Sequence, residues 1–239
     1  MKVEIHSGPN PANTAAADAL AKRLSEPTPR TLVAAGGNTP LKLYELIAQR
    51  SPALGHLHVF ALDEYVGVPP EDLRTCANLL RRTVVEAWRI PSTQFYTVKS
   101  LEADAKTSIE AHERRIAALG GLDVIVLGLG QNGHLGFNEP GSAPDSPGRI
   151  VELEPGSTAA NRAWFNGDYS PSRGATIGLK TILSAKSVFI LAYGSNKAGA
   201  VAKMIDGPRC TACPASWLQN HPNVAVYLDE AAAAQLARR

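Results

Sequence analysis

The chain has 239 residues, 44% of them hydrophobic and 19% charged, which is the composition of an ordinary globular protein and a length that fits one α/β domain over residues 1–239. Its net charge of +2 gives no electrostatic footprint for nucleic acid, and no apolar run approaches the roughly 18 residues of a membrane-spanning helix. The N-terminus turns polar too early for a secretory leader, and three cysteines are too few for a disulfide framework, so we expect a cytoplasmic protein.

Short apolar runs alternate with longer helical patterns along the chain, which is typical of βαβ units around a largely parallel sheet. We therefore predict a three-layer αβα fold with a doubly wound, mostly parallel sheet. The predicted strands are Val3–His6, Thr31–Ala35, His58–Leu62, Val124–Leu127, Ser187–Ala192 and Asn223–Leu228. The predicted helices are Ala12–Leu24, Pro40–Gln49, Thr75–Trp88, Ala103–Ala118, Lys197–Ile205 and Ala231–Arg238, with Thr39 and Ser195 as predicted caps of the second and fifth.

Between Pro140 and Arg173 this alternation is lost, and turn-forming residues dominate a long polar connection. Connections of this length in a compact domain are often lids or binding loops, so we expect an active-site lid within residues 140–173. In open α/β sheets, ligands bind beyond the carboxyl ends of the strands. The residues that directly follow the predicted strands are therefore the candidates for a functional site.

The second predicted strand is followed by Gly36, Gly37, Asn38 and Thr39 at the start of a helix. Glycines let the backbone approach a ligand closely, and the free N–H groups of a helix start favour an anion such as phosphate. The stretch lacks the lysine and spacing of a P-loop and is not GxGxxG, so it does not indicate a nucleotide. A plain strand-to-helix turn is the alternative that this stretch alone leaves open.

Two carboxylates, Asp63 and Glu64, directly follow the third predicted strand. Neighbouring strand residues point to opposite faces, so we expect one carboxylate to enter a cleft and the other to turn away. Desolvation at the edge of an apolar sheet raises the pKa of a carboxyl group, which suits a general base that works near neutrality. Taken alone, a solvated acidic turn is the commoner explanation.

A glycine-rich loop after the fourth predicted strand carries His134 and Glu139. A histidine beside a carboxylate at the carboxyl edge of a sheet is the arrangement expected of an imidazole that is oriented and kept basic by its partner. No second His or Cys stands nearby at ligand spacing, so we predict no metal.

Four motifs in this order, "GGNTP", "LDEYVG", "GLGQNGHLGFNEPGS" and "GSNKA", resemble the glucosamine-6-phosphate deaminase family, which is related by fold to the 6-phosphogluconolactonases. The resemblance runs from the first strand to the closing "VAVYLDE". Its most specific element is "GHLGFNEPG", because lactonases of this fold continue differently after the Gly-His pair.

The resemblance implies a cofactor-free deaminase of the hydrolase class that isomerises glucosamine 6-phosphate and releases ammonia and fructose 6-phosphate. It implies that Asp63 moves a proton between C2 and C1, and that His134, oriented by Glu139, opens the sugar ring. It places the phosphate on Gly36–Thr39 with Lys197 as counter-charge. The expected partner is a small sugar phosphate rather than nucleic acid or a membrane, with the protein a monomer or a homo-oligomer.

The sequence departs from the family pattern at several positions. Asn132 stands where the family often has Asp, and we expect its amide to hydrogen-bond the imidazole without stabilising its charged form as a carboxylate would. In "NRAWF", Ala163 takes the place of the arginine that binds phosphate in the family, and Arg162, one residue earlier, is the candidate replacement. Only Arg149 remains of the basic residues that bind an effector in allosteric members, so we predict no activation by N-acetylglucosamine 6-phosphate.

Two other functions remain open at this point. A lactonase would use the same phosphate turn and histidine loop but would need no base over C2. A sugar-phosphate-binding domain without catalysis would keep the turn but has no reason to keep Asp63 and His134 together. The sequence does not decide between gluco- and galacto-configured substrates. A single CxxC, Cys210–Cys213, is weak evidence for a metal or redox role.

Overall fold

The computed structural model describes residues 1–27, 30–50 and 52–237. Its strands, in chain order, are β1 (Lys2–His6), β2 (Thr31–Ala34), β3 (His58–Ala61), β4 (Asp63–Tyr65), β5 (Phe95–Tyr96), β6 (Val124–Gly128), β7 (Arg149–Glu152), β8 (Arg173–Thr176), β9 (Ser187–Ala192) and β10 (Val224–Asp229). Its α-helices are α1 (Pro9–Leu24), α2 (Leu41–Arg50), α3 (Cys76–Leu80), α4 (Glu102–Ala118), α5 (Pro155–Trp164), α6 (Leu179–Leu183), α7 (Ala198–Ile205) and α8 (Glu230–Ala233).

Seven strands form the main sheet in the order β1-β10-β9-β6-β2-β3-β5, and every neighbouring pair is parallel. Successive strand residues enter two separate apolar clusters: Leu32 and Val124 belong to one, and Val33 and Ile125 belong to the other. This alternation places one cluster on each face of the sheet, since side chains alternate along a strand. Because both faces are covered, these strands read as continuous apolar runs. The predicted three-layer fold with a mostly parallel sheet is confirmed.

A second, antiparallel sheet has the order β4-β8-β7 and begins where the chain leaves β3 at Leu62. The prediction that residues 140–173 form an irregular connection is wrong, because this segment contains β7, α5 and the start of β8. The sequence signal was missing because β7 is only partly buried and lacks apolar alternation, while α5 starts with Pro, Gly, Ser and Thr.

The six predicted strands are present with ends shifted by one residue at most, whereas several helix ends differ. α2 begins at Leu41 rather than at Pro40, whose carbonyl accepts from the Tyr44 N–H at 3.0 Å. The helix predicted over Thr75–Trp88 divides into α3 and a π-helical segment, Arg81–Glu86. The end of the predicted terminal helix at Arg238 lies outside the described residues, and within them α8 ends at Ala233.

The segment before α7 also differs from expectation. Lys197 ends a short 3₁₀ turn, Ser195–Lys197, instead of opening the α-helix. Gly194, with φ of 89°, precedes this turn, and the residue at the cap position of α7 is Lys197 and not Ser195. In the described part of the chain, no helix has the length and apolar character needed to cross a membrane.

Candidate active site

The candidate site lies at the carboxyl ends of four neighbouring strands, β9, β6, β2 and β3. These strands are followed by Lys197, His134, the Gly36–Thr39 turn and Asp63, respectively. The chain runs from β2 outward to β3 on one side and from β6 outward to β9 on the other, so the strand order reverses between β2 and β6. Such a reversal opens the crevice in which doubly wound sheets bind their ligands.

Two adjoining hollows of about 200 and 290 Å³ occupy this crevice. The first contains the glycine turn and Asp63, and the second extends towards α5 and contains Asn132 and Ser157. The residues that line both are Tyr65, Gly130, His134, Phe137 and Lys197. His134 therefore stands between the two parts of one cavity.

The glycine turn contributes Gly36, Gly37 and Thr39 to the cavity lining. A Cβ atom on Gly36 would lie 2.7 Å from the Cβ of Cys76, so only glycine allows α3 to pack this closely against the turn. Asn38 is exposed and does not line the cavity; its carbonyl accepts from the Leu41 N–H at 3.3 Å. The predicted phosphate turn thus reaches the cavity through three of its four residues.

Asp63 lines the first hollow and is only 6% exposed. Burial raises the pKa of its carboxyl group to about 7; the charge of Glu64 adds to this effect, and hydrogen bonding by the Cys76 thiol opposes it. A carboxyl group with this pKa is present in both protonation states near neutrality. It can therefore accept a proton and return it, which is what a general base in a proton-transfer reaction requires.

Glu64 turns away from the cavity, as expected for the next residue on the same strand. Its carboxylate accepts from the backbone N–H groups of Tyr65 at 2.9 Å, Cys76 at 3.0 Å and Ala77 at 2.8 Å. Glu64 thereby anchors the start of α3 to β4. The prediction that one carboxylate enters the cleft and the other turns away is confirmed.

His134 is held in place by the glycine-rich loop after β6 and by the carboxylate of Glu139. Its Nδ1 lies 3.1 Å from Oε2 of Glu139, and its ring lies so close to Gly130 that a Cβ there would meet Cδ2 at 2.4 Å. The structure therefore brings the predicted pair together, with His134 lining the cavity and Glu139, which is 6% exposed, behind it.

Glu139 receives hydrogen bonds on both carboxylate oxygens. Oε2 accepts from Asn132 Nδ2 at 2.7 Å, while Oε1 accepts from the Ser157 hydroxyl at 2.5 Å and from the Glu154 N–H at 3.4 Å. Burial alone would raise the pKa of Glu139, but the hydrogen bonds of His134, Ser157 and Asn132 and the charge of His134 outweigh it and lower this pKa to about 2. Glu139 is therefore ionised throughout the physiological pH range.

Asn132 does not contact the imidazole as expected from the sequence. Its Nδ2 donates to the carboxylates of Glu139 at 2.7 Å and Glu154 at 2.8 Å, and its Oδ1 accepts from the backbone N–H of His134 at 3.2 Å. The amide is engaged in this way because the carboxylates of Glu139 and Glu154 converge on it, and its NH₂ group can donate to both. An ionised Asp at this position could donate to neither.

The two predicted cations have different positions. Lys197 lines both hollows, and desolvation lowers the pKa of its ammonium group. Arg162 is exposed on α5 and lines neither hollow, whereas Asn161 before it lines the second. Successive helix residues point about 100° apart, so a helix that turns Asn161 to the cavity turns Arg162 away. The structure does not bring Arg162 to the candidate site.

Sequence reasoning missed several residues that shape the cavity. Cys76 and Ser157 come from α3 and α5, at large sequence distances from the loops they contact. Nothing in the local sequence marks them, since each is recognisable only from the tertiary contact. Further lining residues that were not singled out are Tyr65, Phe137, Glu154, Gly156, Ala160 and Asn161.

One cysteine of the CxxC pair, Cys213, packs against the glycine-rich loop that carries His134. Cys210 and Cys213 are both free thiols, and Cys213 packs so tightly against Gly133 that a Cβ there would lie 2.5 Å from its sulfur. Among residues 1–27, 30–50 and 52–237, no cluster of three or more His, Cys, Asp or Glu side chains could hold a metal ion.

The sequence of the chain matches known proteins over almost its whole length. The profile of the glucosamine-6-phosphate isomerases/6-phosphogluconolactonase family matches residues 10–227. A glucosamine-6-phosphate deaminase of Cutibacterium acnes is 40% identical over 99% of this chain and 92% of its own length. One of Streptomyces coelicolor is 40% identical over 92% of this chain and 87% of its own length.

Solved structures show the same fold. A structure described as a monomeric glucosamine-6-phosphate deaminase superposes with a TM-score of 0.93 at 29% identity, covering 98% of this chain and all of its own. The 6-phosphogluconolactonase of Trypanosoma cruzi superposes with a TM-score of 0.80 at 23% identity, covering 99% of this chain and 97% of its own. At that identity, the second likeness concerns the fold alone.

Proposed function

This chain belongs to the family of glucosamine-6-phosphate isomerases and 6-phosphogluconolactonases, and we propose that it acts as a glucosamine-6-phosphate deaminase. The observation that carries the proposal is the meeting of Asp63, whose pKa is raised to about 7, with the His134–Glu139 pair in one cavity. The 40% identity to two proteins with this name supports it. Isomerisation coupled to loss of ammonia describes the chemistry better than the label of hydrolase.

Ring opening is the first step of the proposed mechanism. His134 takes the proton of the C1 hydroxyl and returns one to the ring oxygen, which breaks the C1–O5 bond and gives the open-chain aldehyde. The ionised Glu139 stabilises the imidazolium that forms in between. This division of roles keeps the histidine basic without using Glu139 as a proton carrier.

Isomerisation follows on the open chain. The carboxylate of Asp63 removes the proton from C2 while the C1 carbonyl oxygen takes up a proton from water, which gives an enolamine. The protonated Asp63 then delivers its proton to C1, and the nitrogen returns a proton to the hydroxide that is left. Because one group serves two adjacent carbons, no second base has to be positioned, and proximity lowers the barrier. The product is a 2-imine, which water hydrolyses to fructose 6-phosphate and ammonia.

The phosphate group of the substrate needs a binding site in the same cavity. We propose that the Gly36–Thr39 turn and the start of α2 receive it, with Lys197 as the positive charge. Arg162 has no place in this proposal, because it lies outside the cavity lining. No cofactor takes part, a cytoplasmic location fits the substrate, and the choice between monomer and homo-oligomer stays a prediction.

A lactonase is the alternative that the fold allows, but no feature of the cavity favours it over the deaminase. Hydrolysis of a lactone needs no base over C2, so the buried, pKa-shifted Asp63 would have no role in it. Likewise, a binding domain without catalysis would not need His134 and Glu139 in contact.

The test is the release of ammonium and fructose 6-phosphate from glucosamine 6-phosphate by the purified protein. Galactosamine 6-phosphate and 6-phosphogluconolactone serve as comparison substrates. Equal amounts of ammonium and fructose 6-phosphate from the first substrate support the proposal. Turnover of the lactone without release of ammonium from the amino sugars would overturn it.

A further inference from the structure

The carboxylate of Glu139 connects two segments that are far apart in the sequence. Its Oε2 contacts the glycine-rich loop after β6 through His134 Nδ1 at 3.1 Å and Asn132 Nδ2 at 2.7 Å. Its Oε1 contacts the first turn of α5 through the Ser157 hydroxyl at 2.5 Å and the Glu154 N–H at 3.4 Å. Each of the two carboxylate oxygens thus contacts a different segment: Oε2 contacts the loop and Oε1 contacts α5.

The α5 side of this connection is also part of the cavity wall. Gly156, Ser157, Ala160 and Asn161 line the second hollow, so a ligand that fills this hollow contacts the same helix turn that holds Glu139. The N-terminal end of α5 carries partial positive charge that favours the nearby carboxylate. Any displacement of α5 therefore changes the support of Glu139.

We propose that Ser157 is a positioning residue that holds the Glu139 carboxylate against His134 and couples the placement of α5 to ring opening. Without the Ser157 hydroxyl, Oε1 would keep only the longer hydrogen bond from the Glu154 N–H at 3.4 Å, and the carboxylate could rotate about its terminal torsion, which is broad and weakly restrained. Rotation would take Oε2 out of line with Nδ1 of His134. The imidazole would then lose its orienting partner. The catalytic part of this inference rests on the proposed deaminase function, whereas the structural part does not.

The variants for the test are Ser157→Ala, which removes the hydroxyl, and Ser157→Thr, which restores it. Thr158→Ala is the matched control, because it removes a hydroxyl from the same helix turn and the Thr158 side chain makes no hydrogen bond in the described part of the chain. Binding of the open-chain 2-amino-2-deoxyglucitol 6-phosphate, which requires no ring opening, checks that each variant still forms the cavity.

The first readout is made on the unliganded protein and is independent of its activity. The Nδ1 proton of His134, identified by its loss in His134→Gln, gives a proton NMR signal that a carboxylate partner moves downfield and protects from exchange. We expect this signal to broaden or vanish in Ser157→Ala and to persist in Ser157→Thr and Thr158→Ala. An unchanged signal in Ser157→Ala would overturn the inference even if the protein proves to have another activity.

The second readout is turnover of glucosamine 6-phosphate. We expect kcat to fall about tenfold in Ser157→Ala and to recover to within about threefold in Ser157→Thr, because an oriented acid–base group is worth considerably more than this. The dissociation constant of the open-chain alditol phosphate should change less than about twofold. Equal losses in kcat and alditol binding would reduce Ser157 to a structural residue and contradict the inference.

Discussion

Asp63 and Glu139 are both 6% exposed, and yet their surroundings drive their acidities in opposite directions. At Asp63, burial and the charge of Glu64 raise the pKa to about 7, with only a thiol to oppose them. At Glu139, hydrogen bonds from three side chains outweigh burial and lower the pKa to about 2. Burial alone therefore does not set the pKa of a carboxyl group: at Glu139 three side-chain donors and the charge of His134 outweigh it, whereas at Glu64 three backbone N–H groups do not, and burial raises its pKa to about 7.

This difference supports the roles proposed for the two carboxyl groups. A carboxyl group that titrates near neutrality can pick up and release a proton, whereas one that stays ionised can only orient and stabilise a neighbouring cation. Asp63 is thus suited to move the substrate proton, and Glu139 is suited to hold His134.

The largest effect is expected from Asp63→Asn, which keeps the shape of the side chain and removes its basicity. We expect kcat to fall by about 10³-fold, within the range that a positioned base contributes. Binding of 2-amino-2-deoxyglucitol 6-phosphate should change little. Steady-state assays together with this binding measurement distinguish a loss of catalysis from a loss of ligand binding. A variant that keeps a tenth of wild-type turnover would remove Asp63 from the mechanism.

Lys197 is one of the five residues that line both hollows, and its ammonium group is the proposed counter-charge of the phosphate. Lys197→Ala should raise KM for glucosamine 6-phosphate by about 10²-fold, since truncating a partly buried charge that pairs with a ligand costs about 2–5 kcal/mol. Arg162→Ala is the matched change of an exposed cation and should leave KM within about twofold. The reverse ranking of the two variants in a kinetic assay would show that α5 turns its arginine into the cavity when substrate binds.

Asn132→Asp restores the residue that the family often has, but here we expect it to lower kcat by about tenfold. The new carboxylate would face the carboxylates of Glu139 and Glu154, and neither would keep the amide donor that now serves both. The repulsion raises the pKa of Glu139 and weakens its hold on His134. Turnover measured between pH 6 and pH 9 tests this, with Asn132→Gln as the control that keeps the amide. An unchanged or higher kcat would mean that Asn132 does not support Glu139.

Opposite shifts in melting temperature are expected from Asp63→Asn and Glu139→Gln at pH 8. The folded-state pKa of Asp63 is raised, so its ionisation opposes folding as the pH rises from about 4 to about 7, and the Asn variant should melt several degrees higher. The folded-state pKa of Glu139 is lowered, so its ionisation favours folding above about pH 4. Glu139→Gln should therefore lower the free energy of unfolding by about 2 kcal/mol and the melting temperature by roughly 4–8 °C.

The pH dependence of these shifts provides the control. At pH 5, Asp63 in the folded protein is protonated, so the gain from Asp63→Asn should shrink, while the loss from Glu139→Gln should remain. Shifts of the same sign for both variants at pH 8, measured by calorimetry, would contradict the division drawn between the two carboxyl groups.

The sequence allowed the framework of this site to be predicted because each part has a local signal. The turn at Gly36 directly follows β2, and the loop that carries His134 directly follows β6. Both can therefore be located from the sequence without knowledge of tertiary contacts. The contacts of Ser157 and Cys76 could not be predicted in this way, since both residues reach the cavity from helices whose positions depend on packing. The position of Arg162 outside the cavity lining could not be predicted either, because no local signal marks the helix α5 that turns it to solvent.

The most direct test of the account is a titration of the side-chain carboxyl groups by carbon-detected NMR, with Asp63→Asn and Glu139→Gln used to assign the two signals. We expect the Asp63 carboxyl group to titrate near pH 7 and the Glu139 carboxyl group to remain ionised down to the lowest pH at which the protein stays folded. If Asp63 titrates near pH 4 with the surface carboxyl groups, burial has not prepared it as a base, and the assignment of roles is wrong.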